Sequence, residues 1–218
     1  MKDAAGGLLC ASLCMGFFFA AGCSFGKQPA TRLYVLTALS KPEGNLSAAG
    51  GQGVAIGVGP VLLPQYVNRP QIVTGNDSNE LRRAAFAQWA EPLEDNFTRV
   101  LAENLAALLS TARVASFPWH GFAPVDYQVV VGVTRFLGEP GGEVSLDALW
   151  SIVGKDGRAV LVSRQSSVRE QVGGQDYEAL AAALSRAVAA LSRDIAGAIA
   201  ALPQSTATRG EKGHELGA

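Results

Sequence analysis

Three stretches between residues 126 and 169 alternate apolar and polar side chains with a period of two, the spacing that places one set on a single face of a β-strand. Tyr127, Val129, Val131 and Val133 share one side of the first stretch. Val144, Leu146, Ala148, Trp150 and Ile152 share one side of the second, with Glu143, Ser145, Asp147 and Ser151 opposite. Lys155-Asp156-Gly157 follows, and Asp-Gly between alternating runs is a strong hairpin signal. Residues 160–169 supply the returning strand. The spacing predicts an antiparallel meander with one buried and one polar face, as expected when helices cover one side only.

Two segments carry the helical period instead. Glu91-Pro92 opens the first, with Pro at the first helical position and Glu94 and Asp95 at the positive end of the dipole. Its apolar stripe is Leu93, Phe97, Val100, Leu101, Leu105, Leu108 and Leu109. The second runs from Tyr177 to Leu202, with Leu180, Leu184, Val188, Leu191, Ile195 and Ile199 between them at intervals of three and four. Asp176 is its N-cap, Pro203 marks its end, and Arg186, Arg193 and Asp194 fall opposite the stripe. Shorter strands are expected at 32–39, with Leu33 and Val35 on one face, at 54–58 and at 71–74. Pro60 and Pro64 limit the second of these to an edge or an exit. Residues 80–89 fit a strand or a helix. Residues 40–53 are small, polar and Gly-rich, hence a loop, and 203–218 read as a disordered tail. The sum is an α+β fold: an antiparallel β-sheet with two long amphipathic helices packed on one face.

The first 22 residues do not belong to that domain. From Ala4 to Gly22 no side chain is charged, and the stretch ends on Ala20-Ala21-Gly22 before Cys23. Length alone would allow a membrane span of about 20 apolar residues. The small residues instead suit a secretory cleavage site, and with the following cysteine they resemble the bacterial lipobox, in which that cysteine is lipidated and becomes the mature N-terminus. Leu9 and Leu13 occupy the small position before Cys10 and Cys14, so Cys23 is the attachment candidate. Ser24 follows it, whereas lipoproteins retained at the inner membrane tend to carry Asp there, which points to the outer membrane. Residues 24–31 form a tether reaching at most about 28 Å, so the domain at 32–202 sits close to its membrane.

Removing 22 of the 218 residues leaves 196, one domain's worth, with a formal charge of −1. No basic patch interleaved with aromatics argues for nucleic acid. With one mature cysteine and two histidines, neither a disulfide, a Cys-x-x-Cys motif nor a metal site is expected, and no cofactor is implied. There is no Gly-x-Ser-x-Gly elbow and no His-Glu-x-x-His. GGQGVAIGVG is followed by Pro60 and Pro64 rather than by Gly-Lys-Ser/Thr and a helix, so it is no phosphate loop. Glu91 and Glu94 at a helix start are dipole partners before they are acid–base candidates. A non-enzymatic protein is expected.

What remains are aromatic and Arg side chains of the kind enriched at interface hot spots. Tyr66 and Arg69 lie between Pro64 and Pro70, in a segment expected to be extended; Trp89 precedes Glu91-Pro92, and Trp119 ends a Phe-Pro-Trp loop. Tyr66, Arg69, Trp89 and Trp119 are the partner-interface candidates, although Trp89, like Trp150, also fits a core.

LPQYVNRPQIV (63–73), FAQWAEPLEDNFTRVLAENL (86–105), FPW (117–119), DYQVVVGVTRF (126–136) and VSLDALWSIV (144–153) occur in this order. Over roughly residues 31–202 the chain resembles the paraquat-inducible protein C family, the ABC-type transport auxiliary lipoproteins. The resemblance implies a lipid-anchored outer-membrane protein on the periplasmic face. It implies a non-enzymatic auxiliary subunit of an MCE-type, Pqi-like trans-envelope lipid transport system that contributes to membrane integrity. The implied partners are an MCE-domain periplasmic protein and an inner-membrane transporter component, with homo-oligomeric assembly as a ring. The alternative is a carrier holding an acyl chain in its own core.

Overall fold

A computed structural model describes residues 29–40, 53–76, 79–118 and 124–202. The signal segment 1–22, Cys23 and most of its tether, the Gly-rich stretch 41–52, Trp119 and the tail 203–218 lie outside the described residues. The elements are β1 (Arg32–Tyr34), β2 (Ile56–Leu62), β3 (Gln71–Thr74), β4 (Arg82–Trp89), α1 (Leu93–Leu108), β5 (Val114–Ser116), β6 (Tyr127–Gly138), β7 (Glu143–Gly154), β8 (Val160–Gln171) and α2 (Tyr177–Ala200). The fold is α+β.

The meander forms as its alternation requires. β6 pairs antiparallel with β7 and β7 with β8, with Val131 opposite Trp150 and Trp150 opposite Arg164. Gly157 adopts φ +68°, a conformation open to glycine at little cost, at the turn joining β7 and β8. The Asp156 carboxylate accepts from the backbone N–H groups of Arg158 and Ala159, which holds it below the ordinary carboxylate range. Val144, Leu146, Ala148, Trp150 and Ile152 are buried beneath the helices. All seven residues of the α1 stripe are buried, and each fully buried Leu or Phe contributes about 1.5–3 kcal/mol relative to exposure. Asp176 caps α2 by accepting from Ala179 N.

Pairing direction departs from the sequence expectation. Instead of one antiparallel sheet there are two, ordered β1-β4-β3 and β5-β2-β6-β7-β8. β1 pairs parallel with β4, and β2 parallel with both β5 and β6. Alternation reports which face is buried and is blind to the direction of the neighbour. β3, β4 and α1 intervene between β2 and β5, and such long connections permit parallel pairing.

Two strand boundaries also move, each for a chemical reason. β2 begins at Ile56 and continues through Pro60 to Leu62, with a register shift between Val58 and Val61 that lets the missing proline N–H fall at a bulge. At Gly59 a Cβ would come within 2.6 Å of the Phe117 Cβ, so glycine permits that close approach. β1 stops at Tyr34 because helix side chains take over the backbone beyond it. Leu36 N donates to Asn96 Oδ1 (2.6 Å), Thr37 N to Ser185 Oγ (3.1 Å) and Leu39 N to Asn104 Oδ1 (2.8 Å). Leu36 is buried, while Leu33 and Val35 face outward rather than inward. Residues 80–89 resolve as the strand β4, and Pro92 sits at the N-cap of α1 instead of its first turn.

Candidate partner interface

The segment between Pro64 and Pro70 is a turn, not the extended stretch its prolines suggest. Pro64 O accepts from both Val67 N and Asn68 N at 3.1 Å, and Val67 is buried in the core as the anchor. Glu94, in the first turn of α1, holds the same turn from below: Oε2 accepts from Leu63 N (3.4 Å) and Asn68 Nδ2 (3.3 Å). Glu91 accepts from Arg99 at 2.7 Å. Both acidic groups at the helix start are therefore engaged in placing neighbouring backbone and side chains.

This turn presents Arg69 to solvent and half-buries Tyr66, whose hydroxyl donates to Thr134 O (3.4 Å) on β6. Burial pushes the Tyr66 phenol up, with the charge of Arg135 opposing. Trp89 is elsewhere: it is 6% exposed and belongs to the core, leaving little of its indole for a partner. Trp150 is likewise buried, its Nε1 donating to Ser166 Oγ (3.0 Å), which donates to Asp194 Oδ2 (2.6 Å) on α2.

Beside Tyr66 lies the helix-free face of the five-stranded sheet. Asp147 is clasped there by Arg169 (2.9 Å), by Ser167 and, at 3.8 Å, by Arg135. Burial alone would raise this carboxyl; the hydrogen bonds and charges of its neighbours outweigh that and hold it below the usual range. Across the same face Leu62 on β2 is opposite Gly132 on β6, which is opposite Leu149 on β7. Leu62 is 61% exposed and Leu149 56%, and a Cβ at Gly132 would meet only Leu149 O, at 3.9 Å. Two exposed leucines thus flank an open slot floored by backbone. In the sequence Leu149 interrupts the polar rank Ser145, Asp147 and Ser151, which marks that residue but not the row it joins. Among the described residues no three His, Cys, Asp or Glu side chains converge as a metal site would need. The arrangement offers contact surface, with the Asp147 carboxylate already paired and Leu62 and Leu149 exposed.

Residues 34–196 match the family described as ABC-type transport auxiliary lipoprotein component. The chain belongs to that family. Its members are auxiliary components of transport and membrane-anchored envelope lipoproteins, not an enzyme class. No curated protein matches the chain. Among solved structures, a DUF330-family protein from Xanthomonas campestris is similar at TM-score 0.63 and 20% identity, over 78% of this chain and 95% of that one. An uncharacterized protein is similar at TM-score 0.62 and 22% identity, over 78% of this chain and 99% of its own. At these identities the likeness concerns the fold alone.

Proposed function

We propose that this chain is an outer-membrane lipoprotein, anchored through Cys23 on the periplasmic face. It serves as the non-enzymatic auxiliary subunit of an MCE-type, Pqi-like trans-envelope lipid transport system and contributes to membrane integrity. The carrying observation is the family match across residues 34–196, nearly the whole domain. In this reading the partners are an MCE-domain periplasmic protein and an inner-membrane transporter component, met by a ring of copies of this chain. Tyr66 and Arg69 face the partner, and Trp119 is a further candidate. The carrier alternative has less support. The helix stripes fill the core, and the two larger clefts, of about 520 and 460 Å³ along residues 32–40 and α2, are open surface grooves with Arg186, Arg193 and Glu178 in their walls rather than enclosed apolar cavities.

Two experiments test this reading. Tyr66→Ala with Arg69→Ala is expected to weaken pull-down of the MCE partner at least about tenfold, the equivalent of about 1.4 kcal/mol, while circular dichroism stays native. Unaltered capture would remove this turn from the interface. Cys23→Ala, or globomycin treatment, is expected to leave an unprocessed precursor of higher mass. If neither changes the size or the membrane fractionation of the protein, the anchor assignment is wrong.

A further inference from the structure

β1 is the outer strand of the three-stranded sheet, and the backbone that continues it is bonded on one side only. In an extended chain the N–H and C=O of a residue point to the same side, and the side alternates from residue to residue. Tyr34 O accepts from Ala90 N at 2.9 Å, and both backbone groups of Leu36 are held by Asn96, so the even-numbered residues turn toward β4 and α1. The odd-numbered ones turn toward α2, where Thr37 N donates to Ser185 Oγ. Val35 lies on that side, and among the described residues neither its N–H nor its C=O meets a hydrogen-bond partner. Leu33, turned away from β4 by the same alternation, faces the same gap.

That gap is a groove. The two clefts along residues 32–40 and α2 meet at Thr37, Ala182 and Ser185. Leu33 is 63% exposed and Val35 42%, while Leu36 between Val35 and Thr37 is buried. Arg32 and Glu178 line the first cleft. Arg186 and Arg193 line the second, which has no acidic side chain in its wall; Arg186 also reaches Glu170 at 3.2 Å. The end near Ser40 is therefore basic and the end near Arg32 balanced. An open strand edge is a template for another extended chain. Where a helix walls that edge, an added strand bonds the backbone and lays alternate side chains against the helix. An acyl chain in the same place would cover the Leu33 and Val35 backbone groups without bonding them, a cost that an added strand avoids. From Leu33 to Thr37 the edge runs about 13 Å, the length of about five residues.

We propose that the groove between residues 32–40 and α2 binds an extended peptide segment of a protein partner, added as a further strand beside Leu33 and Val35. The segment it fits is apolar at alternate positions and acidic toward the Arg193 end. None of the lining residues belongs to the Tyr66 turn, and the inference holds whether or not Cys23 is lipidated. The test pans a displayed library of random octapeptides on the full-length protein as isolated from cells. Ala182→Trp serves as the counter-selection, since Ala182 is exposed and lines both clefts, so the indole fills the groove without entering the core. Enriched peptides are expected to alternate apolar residues and to carry Asp or Glu near one end. Synthesised and labelled for fluorescence anisotropy, they should bind Ala182→Trp about tenfold more weakly or worse, with native circular dichroism. Selection on Arg193→Glu should exchange the acidic residue for Lys or Arg. Bound peptide should slow hydrogen exchange at the Leu33 and Val35 amides about tenfold or more, and least at Thr37, which is already bonded. The proposal is overturned if no peptide is enriched over the counter-selection, or if binding ignores Ala182→Trp. It is also overturned if the Leu33 and Val35 amides are protected without peptide. Protection independent of concentration would assign the groove to the chain's own residues, protection that rises with concentration to a second copy, and protection lost on delipidation to a lipid.

Discussion

Phe97→Ala is expected to destabilise the domain by about 3–5 kcal/mol, a large part of the 5–15 kcal/mol that holds a typical domain folded. Phe97 is fully buried at the centre of the α1 stripe and meets the Phe136 ring edge-on, at 5.4 Å between centroids and 83° between planes. Such a pair adds about 0.5–1.5 kcal/mol beyond the area it buries. Phe136 sits on β6 just past the register shift between Val133 and Arg135, so the contact joins the first helix to the large sheet at an irregular point of the ladder. Removing the ring leaves a cavity that neither a helix nor a bulged strand can close without shifting other buried side chains. Urea unfolding followed by circular dichroism checks this. The midpoint should fall with the slope unchanged, because the same surface is exposed on unfolding. Phe97→Leu keeps most of the volume and should cost much less. A loss under about 1 kcal/mol for the alanine variant would show that this interface is not where the core is held.

The elements legible in the sequence are those whose period is imposed by burial. The α1 and α2 stripes and the β6–β8 meander each bury one rank of side chains, and that rank stands out whatever packs against it. Where a backbone finds its partners outside a ladder, periodicity gives no warning. Residues 35–39 alternate like a strand, yet the N–H groups of Leu36, Thr37 and Leu39 are satisfied by Asn96, Ser185 and Asn104, each a polar residue within a helix. Nothing local distinguishes those side chains from solvent-facing ones. The Pro64–Pro70 turn is a similar case. Two prolines suggest extension, and the turn exists because Val67 is drawn into the core while Glu94, on a later helix, binds the backbone before it. Of the candidate surface, Tyr66 and Arg69 were visible as residue types. The Leu62, Gly132 and Leu149 row was not, because it requires knowing that β2 and β6 are neighbours in parallel register.

The expected behaviour of Asn96 follows from that hidden pairing. Asn96 is buried at the start of α1; its Oδ1 accepts from Leu36 N at 2.6 Å and its Nδ2 donates to Leu36 O at 3.4 Å. One amide side chain thus replaces the neighbouring strand that residues 35–39 lack. Asn96→Leu, close in volume and without polar atoms, strands both groups of the Leu36 backbone in an apolar setting. Each unsatisfied group costs about 1–3 kcal/mol, so the loss should be about 2–6 kcal/mol in total. Asn96→Asp is a sharper probe, since a carboxylate can accept from Leu36 N but has nothing to donate to Leu36 O, and it buries a charge as well. Native-state hydrogen exchange separates local from global effects. The amide protons of Leu36, Thr37 and Leu39 should lose protection beyond the drop in global stability, as the whole segment lifts from the helices. Equal losses across the domain would mean that the Asn96 contact adds only bulk packing.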